Sequence, residues 1–276
     1  MTAERPLERA LTSIRLEHRG AALRGWEYHP ASASASASAS ASAPAAAGGA
    51  VLFVHGFGDS SIGPRQLFVQ AATVLTDTGL TVRSYDRLGH GTSDGRFADI
   101  SIGDEVEQVV TMIRAFSADQ GAPIDVVAHS LGAVESAMAA ARAPDLVRSL
   151  TLWSPAGVVV DDIAVHDAIQ GQPLAPVRDR GWFDFGGTAL GRGFVDEVRD
   201  GLDVYAQARG YDGPVDVLHG TADEIVPVEY GRRYGELLSG ATFTAVEGAD
   251  HVWSSVPWRE QLVDRLLERV RERSGR

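Results

Sequence analysis

The chain contains no cysteine. Disulfide scaffolds, thiolate nucleophiles and cysteine-ligated metals are excluded with it. Lysine is absent as well, so all 25 cationic side chains are arginine, which reads as a coding preference rather than a functional signal. Positive charge is also outweighed, by 37 acidic residues, for a net charge of −12. Such a surface repels phosphate, so no nucleic-acid partner is expected. No apolar run is long enough to span a bilayer. The N-terminal MTAERPLERALTSIRL carries charges throughout and lacks the apolar core and cleavage site of a secretory signal. The expected location is the cytoplasm.

What is present is ordinary for a globular enzyme-sized chain. Its 276 residues, 44% of them hydrophobic, can form one large core, with or without a lid. SIRLEH and ALRGWEYH alternate around a glycine and predict a hairpin. The tract PASASASASASASAPAAAGG, roughly residues 30–49, has nothing large to bury and reads as a flexible connector. Beyond it, continuous apolar runs alternate with segments of helical spacing. AVLFVHG, LTVRSYD, PIDVVAH, VRSLTLWSP, GPVDVLHG and ATFTAVEG are the strands. Between and after them lie RQLFVQAATVLTDTG, GDEVEQVVTMIRAFSADQG, LGAVESAMAAARAP, VEYGRRYGELLSG and PWREQLVDRLLERVRER, read as helices. This order predicts an α/β fold with a mostly parallel central sheet and helices on both faces. The alternation lapses between residues 157 and 211, a Gly-, Asp- and aromatic-rich stretch. It is expected to be a small cap inserted into a core made of residues 1–156 and 212–276.

In open α/β sheets, ligands collect at the carboxyl ends of the strands. Those ends here carry His55-Gly56-Phe57-Gly58, Asp86-Arg87, His129-Ser130-Leu131-Gly132, Thr221-Ala222-Asp223 and Asp250-His251. Taken singly, each has a bland explanation. Ser130 can be a hydroxyl at a helix start, Asp223 a helix cap and His251 a loop histidine. Together, a serine, an acid and a histidine at three strand ends form the set that nucleophilic acyl transfer requires. A serine hydroxyl needs a base, the expected role of His251, and the base needs a carboxylate to fix its tautomer, the expected role of Asp223. The oxyanion would be received by the backbone N–H groups of Phe57 and Leu131. Asp250 shares a turn with His251 and is a weaker choice of acid. His129 should point away from the nucleophile. His55 should brace the oxyanion turn, and Asp86 and His90 the glycine-flanked loop. No cluster has metal-ligand spacing, and GHGTSDG lacks the lysine and helix context of a phosphate loop, so neither a metal nor another cofactor is expected.

The order Ser, acid, His, with an elbow reading Ala128-His129-Ser130-Leu131-Gly132, resembles the α/β-hydrolase superfamily. The usual first glycine of that elbow is Ala128 here, the smallest possible departure. Relatives that are haloalkane dehalogenases or epoxide hydrolases place aspartate where this chain has Ser130. From Val51 to the C-terminal helix, the phrases HGFGDSSIGPRQLF, YDRLGHGTSDGRF, LHGTADEIVP and VEGADH resemble bacterial cinnamoyl (feruloyl) esterases and their monoacylglycerol-lipase-like relatives. That resemblance implies a serine carboxylesterase acting on a small-molecule ester. It also implies a cap that supplies an acidic group, Asp161 or Asp162, and aromatics, Trp182 and Phe183, around the acyl group. Monoacylglycerol lipase, thioesterase or acyltransferase chemistry is the alternative among enzymes, and a non-catalytic binder the alternative outside them. The composition is compatible with a homodimer.

Overall fold

The computed structural model describes residues 11–30 and 49–274. The Ala-Ser tract, expected to be a flexible connector, lies outside the described residues apart from its ends. The chain opens with strands β1 (Leu11–His18) and β2 (Ala21–Tyr28), paired antiparallel in register from Leu11 opposite Tyr28 to His18 opposite Ala21. Their two-residue turn, Arg19-Gly20, has positive φ at both positions, as a tight hairpin requires.

The core then alternates strand and helix. Strand β3 (Ala50–Val54) leads to helix α1 (Leu67–Asp77), β4 (Thr81–Asp86) to α2 (Ile102–Gln120), and β5 (Ile124–His129) to α3 (Leu131–Arg142). Strand β6 (Val147–Trp153) is followed by an interlude of short elements. These are α4 (Val158–Ala164), a small hairpin of β7 (Ala168–Ile169) and β8 (Gln172–Pro173), and α5 (Ala175–Arg180). A second hairpin follows, β9 (Trp182–Phe185) with β10 (Thr188–Gly191), then α6 (Arg192–Arg199) and α7 (Val204–Ala208). The core resumes with β11 (Val215–Gly220), α8 (Val228–Leu237), β12 (Ala241–Val246) and the long α9 (Val256–Ser274).

Eight strands form one sheet in the order β1-β2-β4-β3-β5-β6-β11-β12. Only the pairings that involve β2 are antiparallel, so the predicted mostly parallel sheet is what the chain forms. The central strands β3, β5 and β11 are buried at every residue, which explains why their sequences run apolar without alternation.

Each face has its own core. On one, Leu52, Val54 and Val126 meet Val106, Val109, Ile113 and Phe116 of α2, Met138 of α3 and Tyr234 of α8. On the other, Val51, Phe53 and Val127 meet Leu67, Phe68 and Ala71 of α1 and Leu262, Leu266 and Val270 of α9. The α2 contacts recur at spacings of three and four, which places them on one helix face. That helix starts at Ser101, whose side chain accepts the Asp104 amide, and stops at Gly121 with φ 65°. The parallel strands all deliver their carboxyl ends to one edge; the interlude leaves β6 there and crosses over to the opposite edge, where β11 begins.

Candidate active site

The passage from β5 to α3 turns on Ser130, whose φ of 57° and ψ of −125° are unusual for a residue with a side chain. Three backbone bonds hold it there. Its amide donates to the Trp153 carbonyl at 2.9 Å, and its carbonyl accepts from Ala133 and Ala156, each at 3.1 Å. The flanking small residues have steric causes. A Cβ on Gly132 would stand 2.0 Å from the His55 carbonyl oxygen, and one on Gly56 would stand 2.9 Å from Ser130 Cβ. Ala128 lies fully buried on β5, where its methyl joins the core, so alanine is tolerated at that place.

The structure brings together the three residues that the sequence places 121 and 28 positions apart. Ser130 Oγ lies 3.0 Å from His251 Nε2. His251 Nδ1 lies 2.8 Å from Asp223 Oδ2. A carboxylate only accepts, so Nδ1 carries the proton, and Nε2 is left to accept the Ser130 hydroxyl. All three residues are buried, and Ser130 lines a cleft. Asp223 is fixed on both sides, since its Oδ1 accepts the amides of Ile225 at 3.0 Å and Val226 at 2.8 Å. Burial alone would raise its pKa. The hydrogen bonds from His219 and His251, the His251 charge and the Val226 amide more than offset this, and hold the carboxyl well below the usual range.

His219, on β11, was not singled out from the sequence. It is fully buried and its Nε2–H is shared between Asp223 Oδ2 at 3.1 Å and the Val226 carbonyl at 2.8 Å. The signal available was a histidine closing a strand four residues before the acid. Asp250 accepts from Ser254 and makes no bond to His251.

His129 does not simply turn away, as the sequence reading had it. Its Nε2–H donates to the His251 carbonyl at 2.8 Å, and the two rings stand 4.9 Å apart. The reason is position: it ends the strand beside the turn that carries His251, so a ring leaving the nucleophile's side still meets that turn's backbone. Burial, and then the His251 charge, lower its pKa to about 3, so it is neutral.

Phe57 and Leu131 both line the cleft beside Ser130, and neither amide donates to an acceptor among the described residues. The Phe57 ring is clamped by Phe185, Phe194 and Phe97, with centroids 4.7, 5.1 and 5.2 Å away. The turn beneath is held by His55, whose Nδ1–H donates to the Gly56 carbonyl at 2.8 Å and whose Nε2 accepts the Arg87 amide at 3.1 Å. His90 accepts the Gly58 amide at 3.3 Å, and Asp86 accepts the amides of Ser61 and Thr92 at 2.7 Å each.

The cleft is partly open, and the space within it, solvent included, is about 430 Å³. Its walls are mostly apolar, built from Val158, Val159, Ile169, Phe194, Ile225 and Val226, with one carboxylate, Asp162. Of the two adjacent acids, Asp161 faces elsewhere and accepts the Tyr230 hydroxyl at 2.6 Å. Trp182 and Phe183, expected around the acyl group, do not line the cleft. Strand β9 alternates, so Phe183 points into the core while Trp182 is 38% exposed beneath the Arg180 guanidinium. The aromatic wall is Phe194 instead, on α6, together with Phe57.

Comparison with solved structures decides the architecture. Est1E from Butyrivibrio proteoclasticus, in its complex with ferulic acid, superposes with a TM-score of 0.80 at 22% identity, over 95% of this chain and 100% of that one. The chain has the α/β-hydrolase fold. A monoacylglycerol lipase from Paleococcus ferrophilus shares it at a TM-score of 0.64 and 22% identity, over 83% of this chain and 96% of its own. Residues 45–176 of the chain match the family described as serine aminopeptidase, S33. Among curated proteins, a monoglyceride lipase homolog of Monkeypox virus is 32% identical over 112 residues, 38% of each chain. A 2-(acetamidomethylene)succinate hydrolase of Mesorhizobium japonicum is 36% identical over 104 residues, 38% of this chain and 34% of that one. The chain spans about a third of the length of the curated relatives it matches. No described helix is long and apolar enough to cross a membrane.

Proposed function

We propose that this α/β-hydrolase is a serine carboxylic ester hydrolase that works through an acyl-enzyme on small acyl or aryl esters. The observation that carries the reading is the Ser130 hydroxyl bonded to an imidazole whose other nitrogen is locked on a carboxylate. It sits in a cleft lined by two residues, Phe57 and Leu131, whose amides have no acceptor among the described residues.

The chemistry follows from that arrangement. Ser130 Oγ attacks the ester carbonyl carbon while His251 Nε2 takes its proton. The carbonyl electron pair moves to oxygen, where the Phe57 and Leu131 N–H groups receive it, each worth roughly 3 kcal/mol in the transition state. The C–O bond to the alcohol then breaks, and His251 returns the proton to the departing oxygen. Water repeats the sequence on the acyl-enzyme and frees the acid. Asp223 stays ionised throughout and stabilises the imidazolium.

We take residues 157–211 as a cap over the cleft, with residues 1–156 and 212–276 as the core. A hydroxycinnamoyl group would lay its ring along Val159 and Phe194 and present its phenol to Asp162. The fold likeness to Est1E, solved with ferulic acid, supports this choice. The mostly apolar walls and the identity to a monoglyceride lipase homolog favour a second reading, in which the same site takes a monoacylglycerol.

A fluorophosphonate probe, followed by kcat/KM on 4-nitrophenyl acetate, butyrate and octanoate, methyl ferulate and a monoacylglycerol, tests both. Labelling of the native chain and not of Ser130→Ala, with turnover of at least one ester, is the expected result. No labelling and no turnover would point to a non-catalytic binder. A preference for methyl ferulate supports the aromatic acyl group, and a preference for monoacylglycerol or octanoate moves the protein to the second reading.

A further inference from the structure

Arg87 follows β4, and its side chain is wholly buried beneath the turn that carries Phe57. A cation removed from water must be matched and fully bonded. Its Nε donates to Glu105 at 2.7 Å, and its Nη1 lies 3.0 Å from Glu135. Burial pushes the Glu135 carboxyl well above the usual range, against the opposing pull of the Arg87 charge. Two further bonds go to backbone. Nη1 donates to the His55 carbonyl at 2.6 Å and Nη2 to the Gly56 carbonyl at 3.1 Å. The Gly56 oxygen also accepts His55 Nδ1–H.

The Gly56 carbonyl and the Phe57 N–H belong to one peptide group. The described chain has no cis peptide, so these two dipoles point in opposite directions. Holding the oxygen down on Arg87 therefore turns the N–H up, away from the guanidinium. A cation on the oxygen also draws electron density out of the amide and makes its N–H a stronger donor.

We propose that Arg87 is a positioning residue for the oxyanion. Through the Gly56 carbonyl, its buried guanidinium fixes and polarises the Gly56–Phe57 peptide, so that the Phe57 N–H meets the negative charge of the tetrahedral intermediate. The proposal rests on the ester-hydrolase reading above. Arg87 touches no substrate, so its contribution is felt where the oxyanion forms and not in ground-state binding.

Removing Arg87 alone strands the Glu105 charge, so the test pairs Arg87→Met with Glu105→Gln, and a thermal melt establishes that the variant is folded. The substrate is the ester that the native enzyme turns over fastest, compared with its thionoester, whose developing charge on sulfur gains little from N–H donors. Three results are expected in the double variant. Its kcat falls roughly 10- to 100-fold. Its KM changes by less than about 3-fold. The ester-to-thionoester rate ratio falls several-fold. Arg87→Lys, which keeps the charge and loses the two-pronged grip, should lie between native and double variant on that ratio. If the double variant does not fold, the same comparison is made on Arg87→Lys alone.

A folded variant with kcat within about 3-fold of native overturns the proposal, as does an equal loss on ester and thionoester, the mark of a merely structural role. If the native chain hydrolyses no ester and takes no probe at Ser130, the ester-hydrolase reading fails first and this proposal with it.

Discussion

His129 makes the protein acid-sensitive in a way that can be worked through. Its ring is buried at the end of β5, donates from Nε2 to the His251 carbonyl, and has no partner at Nδ1. A second proton would have to enter an apolar site beside another imidazole, which is why its pKa falls to about 3. The unfolded chain takes up that proton near pH 6.5 and the folded chain does not. Below about pH 6.5 the unfolded state therefore binds more protons, and stability falls with pH until the folded ring titrates as well. At about 1.4 kcal/mol per pH unit, the cost is about 2 kcal/mol at pH 5 and about 4 kcal/mol at pH 3, where the folded ring has itself begun to titrate. His129→Gln removes the titration and keeps an N–H donor. Urea unfolding of native and variant chains at about pH 7.5 and about pH 5 separates the effect, because the substitution's own cost enters at both pH values and cancels. The native chain should lose about 2 kcal/mol more than the variant over that interval. Equal losses, within about 0.5 kcal/mol, would refute the claim that a buried neutral imidazole is the cause.

Ser130→Ala and His251→Ala should each remove nearly all ester turnover, read with 4-nitrophenyl butyrate, while the melting temperature stays within a few degrees of native. Asp223→Asn should lower kcat by roughly 10³- to 10⁴-fold, because an amide can present its N–H to His251 Nδ1 and strand the imidazole in the wrong tautomer; a loss under about 10-fold would show that Asp223 does not fix the tautomer. Gly132→Ala should sharply reduce soluble yield or lower the melting temperature, since its Cβ would overlap the His55 carbonyl at 2.0 Å; a native melting curve would show that this turn relaxes freely. Asp162→Ala should raise KM for methyl ferulate more than for 4-nitrophenyl butyrate, and equal effects on both would remove its proposed contact with a phenol.

What the sequence made legible was whatever the sheet alone dictates. Runs such as AVLFV and IDVVAH have to be buried on both faces, and residues placed just after them have to gather at one edge. For that reason Ser130, Asp223 and His251 could be named before any geometry was known. Ala128 could be accepted for the same reason, because the turn asks for smallness and a methyl satisfies it. The errors lie where placement depends on packing between segments. Trp182 and Phe183 share a four-residue strand whose alternation sends one outward and the other into the core, and nothing local marks Phe194, one helix later, as the wall of the cleft. Arg87 was visible as a charge after a strand, but a sequence does not show that a charge will be wholly buried. His219 looked like the last residue of an apolar strand, and its bond to Asp223 appears only when β11 and the following turn are folded together.

The short elements between β6 and β11 have a consequence for how such a protein can change. Those two strands are hydrogen-bonded neighbours, with Leu150 opposite Val215 and Trp153 opposite Leu218. The intervening stretch therefore departs at the carboxyl edge and returns at the amino edge of the adjacent parallel strand, a crossover whose two ends the sheet, rather than the stretch itself, holds in place. Its length and composition can drift without shifting the distance from Ser130 to His251. The elements that place Ser130, Asp223 and His251 form a frame, while the walls at Val159, Ile169 and Phe194 belong to the connection between two of its strands. If the chain is the ester hydrolase proposed, exchanging residues 157–211 for another sequence should alter which esters are accepted while leaving the Ser130–His251–Asp223 arrangement in place.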